Sequence, residues 1–137
     1  MGKVVKVAAR AGKVEILDFP EDFTLSWAAE QIGAEWAEIV RPRRLWDGCV
    51  MIVDEEGKLK DNAYGNTVAS WLYAADEHGE LIVGDCLFMA EEQGPEGGDL
   101  AGLDEQQAEA LKKEIDANVY AWATALFQAL KAKGAML

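Results

Sequence analysis

"GCVMIVD", residues 48–54, is where the fold is decided. The run is apolar and lacks the in–out alternation of a half-exposed strand. Such a strand suits a central place in a sheet, covered on both faces. Its flanks must therefore supply two covering layers and the neighbouring strands. On the far side, Glu55-Glu56-Gly57 reads as a turn, and "KLK" (58–60) as a brief return pairing. Asn66 is placed to cap a helix over 66–75, in which Val68, Ala69, Leu72 and Tyr73 fit helical spacing. "ELIVGDCLFMA" (80–90) repeats the buried-strand pattern, with Gly84 allowing a bulge or a close backbone approach.

The near side adds more strands. "KVVKVAAR" (3–10) and "KVEILDF" (13–19) read as a hairpin turned at Ala11-Gly12 and stopped by Pro20. Val14 and Ile16 alternate with Glu15, which predicts one buried face. Thr24 caps a short helix over 25–32 that ends at Gly33. "EWAEIVRP" (35–42) is a third strand, closed by Pro42. Beyond the central strands, the composition of 91–102 predicts a loop, Gly-rich over 93–102. A long C-terminal helix follows over 104–133, opened by Asp104 with Gln107 in the reciprocal capping position. Its apolar residues, from Ala108 through Trp122 to Leu130, step by three and four. Part of this helix is expected to pack on the sheet. Trp122 and Phe127, near its free end, are candidates for a homodimer contact. The order ββαββαβα gives an α+β fold: a small mixed or antiparallel sheet with helices packed on it. The 137 residues fit a single domain spanning 1–137.

Composition narrows the partners. The net charge is −12, and it is unevenly placed. Residues 61–111 hold twelve acids and no Lys or Arg, while the remainder balances 13 basic against 13 acidic residues. Such a block repels nucleic acid and anionic membrane and attracts a basic partner; its plainer reading is a solvated surface that aids solubility. The start, "MGKVVKVAAR", is too short and too broken by cations for a signal or a span, so a cytoplasmic protein is expected. Cys49 and Cys86 lie in apolar runs without CxxC spacing and read as buried, reduced thiols.

No stretch assembles a recognisable catalytic or metal motif. The loop after Asp54 fails as an EF-hand, because Lys58 and Leu59 stand where oxygen ligands belong. His78, the sole histidine, sits among Asp76, Glu77 and Gly79 in an expected surface turn, and three ligands in a row do not converge on one ion. A general-base role for His78 would need a distant acid. "GPEGGDLAG" (94–102) lacks the Lys-Ser/Thr of a P-loop, and its acids would repel phosphate. The expectation is therefore a non-catalytic protein without cofactor or metal.

Two surfaces remain as binding candidates. Arg41, Arg43 and Arg44, with Trp46 beside them, form the one dense basic cluster. Arginine forks take carboxylate or phosphate, and Trp46 offers a stacking face, so this is the candidate site for a small anionic ligand. The plainer alternative has these arginines answering the protein's own acids. Of the five tryptophans, the others are expected mostly in the core. Glu91, Glu92, Glu96 and Asp99 form the candidate partner-binding patch.

The phrasing "IVDEEGKLKDNAYGNTVASWLY" followed by "ELIVGDCLFM" resembles the small proteins of domain of unknown function 3846. Val53, Gly57, Leu59, Asn66, Ala69, Leu72, Tyr73, Ile82, Val83, Gly84 and Asp85 carry the likeness, which spans roughly residues 3–115. That resemblance implies a protein of phages, plasmids and conjugative elements, with an accessory role in a host cytoplasm. It implies no activity, cofactor or catalytic residue. Three functions follow from the residues. The first is an accessory module engaging a host or defence protein or a small anionic ligand, without direct nucleic-acid binding. The second is an acidic DNA mimic that blocks a DNA-binding protein, as antirestriction proteins do. The third is a cryptic enzyme using His78.

Overall fold

The structure, a computed structural model, describes residues 2–57, 64–94 and 97–134. The expected return pairing at 58–60 and the candidate Glu96 lie outside the described residues. The elements are β1 (Lys3–Val7), β2 (Val14–Asp18), α1 (Leu25–Gln31), β3 (Ala37–Val40) and β4 (Cys49–Asp54). There follow α2 (Thr67–Tyr73), α3 (Ala75–His78), β5 (Cys86–Gly94), β6 (Gly97–Ala101) and α4 (Glu105–Ala132). The strands form one sheet in the order β2-β1-β5-β4-β3, with β6 also paired to β5. Every pairing is antiparallel, which makes the fold α+β and removes the mixed alternative.

The central strand behaves as its composition requires. Cys49, Met51 and Val53 enter one core with Val5, Val7 and Phe88 of the sheet and Val68, Leu72, Leu111 and Ile115 of α2 and α4. Val50 and Ile52 point the other way, into a core with Val4, Leu87 and Met89 that α1 covers through Ala28. Alternate residues of β4 thus serve opposite layers, because successive strand side chains point to opposite faces. The β1–β2 hairpin turns through Ala11 and Gly12, both at φ 61°. Its tip lies against α2 and α4: a Cβ on Gly12 would stand 3.2 Å from Val68 Cγ2.

Local signals hold where a cap decides the start of a helix. Thr24 accepts from the Trp27 amide, Asn66 from the Ala69 amide, and Asp104 forms the reciprocal box with Gln107. Three expectations are corrected. The strand expected over 80–90 begins only at Cys86, because Gly84 takes φ 89° and turns the chain. Upstream of that turn, Val83 makes a single bridge to Gly65. The stretch 93–102, expected as a Gly-rich loop, is mostly hairpin: β5 runs on to Gly94 and β6 returns against it from Gly97. The turn expected around His78 is the short helix α3, and its Asp76 is buried.

β6 delivers the chain to α4 by a tight crossing. Lys3 and Leu103 exchange both backbone hydrogen bonds, at 2.7 and 2.8 Å. A Cβ on Gly102 would stand 2.5 Å from the Cα of Gly2, so these two backbones pass where no side chain fits.

Candidate functional site

The basic cluster is split in two by the fold. Arg44 leaves the loop between β3 and β4 and packs its guanidinium 3.6 Å over the Trp71 ring. Its two terminal nitrogens donate to both Asp76 oxygens, at 2.8 and 2.9 Å, and one also donates to the Trp71 carbonyl. Such a fork on a carboxylate is the strong form of ion pair. That hydrogen bond holds the Asp76 carboxyl below the usual carboxylate range and raises Arg44. Arg43 turns to Glu77 at 3.0 Å. Both residues therefore clamp the loop onto α3.

Arg41 faces elsewhere. One of its nitrogens donates to both Glu91 oxygens, at 2.8 and 2.6 Å. Arg41, Pro42, Trp46, Asp47, Gly48 and Glu91 help line a cavity of about 220 Å³, and Trp46 is 39% exposed. Of the four residues in the candidate anion site, only Arg41 and Trp46 share this cavity. Their one cation meets two carboxylates there, so the lining does not favour an anion. A second cavity, of about 170 Å³, opens beside β3. Among the described residues its wall carries Glu38, Asp54, Glu55 and Glu80 beside Tyr73 and no cation.

Glu91 and Glu92 sit on β5 and Asp99 on β6. The ladder sets Glu91 opposite Leu100 and Glu92 opposite Asp99. Residues directly opposite in an antiparallel pair share a face, so Glu92 and Asp99 present two carboxylates side by side. Both are exposed. β4 pairs with β5 only as far as Ala90, so beyond the Glu91 amide, bonded to the Gly48 carbonyl, the hairpin extends past the β4 ladder.

The stretch around Asn66 is structural. Its amide donates to the Val7 and Gly84 carbonyls, at 3.1 and 3.0 Å, while its oxygen caps α2. Ser70 Oγ accepts from the Ile82 amide at 2.9 Å. These bonds tie α2 to the ends of β1 and to the approach to β5. They account for Asn66 and Ser70 as buried polar residues. Those residues, with Gly57, whose added Cβ would lie 2.9 Å from the Val83 carbonyl, lie in the stretch that carries the family likeness.

The family model described as "Domain of unknown function (DUF3846)" matches residues 3–116. The chain belongs to the DUF3846 family. No curated protein and no solved structure matches the chain. In this DUF3846 protein the matched residues take in the whole sheet, the three short helices and the first part of α4.

The remaining candidates sit as follows. His78 is exposed and stacks on the Tyr73 ring at 4.5 Å, while its neighbours Asp76 and Glu77 serve Arg44 and Arg43. Cys49 and Cys86 are free and buried; burial pushes the Cys49 thiol up to about 12 and the Cys86 thiol higher still, which makes both poor nucleophiles. Among the described residues, no three His, Cys, Asp or Glu side chains are grouped to hold a metal. No helix there is long and apolar enough to cross a membrane. Of the tryptophans expected in the core, Trp27, Trp71 and Trp122 pack at its edges, whereas Trp36 is 59% exposed. Sequence reasoning missed the roles of Asp76 and Glu77, whose partners lie more than thirty positions away. It also missed the acid-lined cavity beside β3, assembled from four separate segments.

Proposed function

We propose that this protein is a small non-catalytic accessory protein that binds a partner with a basic surface, in the phage and mobile-element setting that the family resemblance implies. The observation that carries the reading is the placement of Glu92 opposite Asp99 on the hairpin. Like charges set directly across a ladder cost stability, so a fold gains nothing internal by facing them together. A partner's lysines or arginines would relieve that repulsion on docking. The acidic block 61–111 and the carboxylates of the two cavities supply a long-range field of the same sign. The small-anion reading loses ground, because each arginine of its site already engages an acid of this chain.

The test is capture of partners from a host lysate on immobilised protein, in low and in high salt. Capture should weaken with salt and fall further in the doubly neutralised variant E92Q/D99N. Equal capture by that variant removes the hairpin from the reading. If the captured partner is itself a DNA-binding protein and duplex DNA displaces it, the binding is mimicry.

A further inference from the structure

Over residues 117–130, helix α4 carries large apolar side chains on two opposite sides. At about 3.6 residues per turn, Leu111, Ile115, Val119, Trp122, Leu126 and Leu130 fall on one side. That side is packed: the first four lie in or against the sheet core, and the last two pack with Ala75. Trp122, a candidate dimer contact from the sequence, belongs to this inward side. The opposite side holds Tyr120, Thr124 and Phe127, with Tyr120 88% and Phe127 45% exposed. Residues 117–130 carry no charged side chain, in a chain whose net charge is −12. Two large aromatics left in water on an uncharged stretch of helix mark a surface suited to contact with another protein.

The outward side is complementary to itself. Two copies of α4 set antiparallel, with the two-fold axis between Ala123 and Thr124, place Tyr120 opposite the partner's Phe127. The same register places Asp116 opposite the partner's Lys131, and the symmetry repeats both pairings. Asp116 and Lys131 lie on the same outward side as Tyr120 and Phe127, one turn beyond each aromatic, and both are exposed. Asp116 Oδ2 already accepts from Lys112 Nζ of its own helix at 2.6 Å, so the partner's Lys131 would meet its other oxygen. Identical acidic chains repel one another, so they associate best through a surface that carries no net charge. Between residues 116 and 131 this side carries one acid and one base, one at each end, in the order that antiparallel pairing needs.

We infer that the protein forms a two-fold homodimer through the outward face of α4, with Tyr120 and Phe127 interlocked and Asp116 paired with the partner's Lys131. The contact is isologous, so one patch serves both copies. It goes beyond the proposed partner binding, since the hairpin β5–β6 takes no part in it.

Sedimentation across a concentration series should show a monomer–dimer equilibrium. Phe127→Asp, at an exposed position, should keep the circular dichroism of the fold and raise the dimer dissociation constant at least about tenfold, as loss of an aromatic anchor does. Lys131→Glu and Asp116→Lys should each weaken the dimer, and the double variant D116K/K131E should recover it. Thr124→Cys should give a disulfide-linked dimer on oxidation, because Cys49 and Cys86 are buried and unreactive. A strict monomer at every concentration overturns the inference. So does a dimer that ignores Phe127→Asp, or one that the double reversal fails to restore.

Discussion

The corner formed by α2, α3 and the loop after β3 contrasts with the hairpin β5–β6. Both are rich in polar residues. In the corner the buried polar side chains meet their complements: Asn66 spans two carbonyls and a helix start, Ser70 meets Ile82, and Asp76 takes the fork of Arg44. On the hairpin, Glu91 has its cation, whereas Glu92 and Asp99 face one another. Charge alone therefore says little about purpose. What separates the regions is whether the chain supplies the counterpart.

The corner depends most on Asn66. Asn66→Ala removes the α2 cap and strands two carbonyls, and should cost about 3 kcal/mol in denaturant unfolding. A loss under about 1 kcal/mol would mean that the corner relaxes around the gap. Arg44→Met should come next, at about 2 kcal/mol, because it leaves the Asp76 carboxylate buried without its cation. The pH dependence follows from the same pair. Asp76 has a folded pKa below its unfolded one, so its contribution is complete above the unfolded value and fades as pH falls through the folded value. Asp76→Asn should flatten that acid limb of the stability curve, measured by thermal melts between neutral and strongly acidic pH.

The hairpin should respond with the opposite sign. Asp99→Lys replaces a repulsive cross-strand pair with an attractive one and should stabilise the fold by about 0.5 kcal/mol. The same variant should lose captured partner. A destabilised Asp99→Lys protein would end the contrast between the two regions. Arg41→Ala should have the smallest effect, about 0.3 kcal/mol, since its side chain is largely in water.

Features written into neighbouring residues were legible. Caps at Thr24, Asn66 and Asp104 act over three positions, and the doubly covered β4 shows in its unbroken apolar run. The helix α3 was hidden because four residues give no period to read. β6 was hidden because Gly-Gly-Asp carries loop composition, and only pairing with β5 makes it a strand. Among the site residues, the split of Arg41 from Arg43 and Arg44 could not be read, because their acids come from β5 and α3. The resemblance carried more than the motifs did, and much of what it matched is scaffold.

The glycine crossing at Gly2 and Gly102 bears on the order of assembly during synthesis. β1 is made before the other strands of its sheet, yet its permanent neighbours include β5, and Lys3 bonds to Leu103. The hairpin of β1 and β2 must therefore wait, half-clad, until most of the chain has been made. Nascent protein of this kind exposes apolar strand faces for longer than one built from adjacent pairings, which makes early truncations candidates for aggregation.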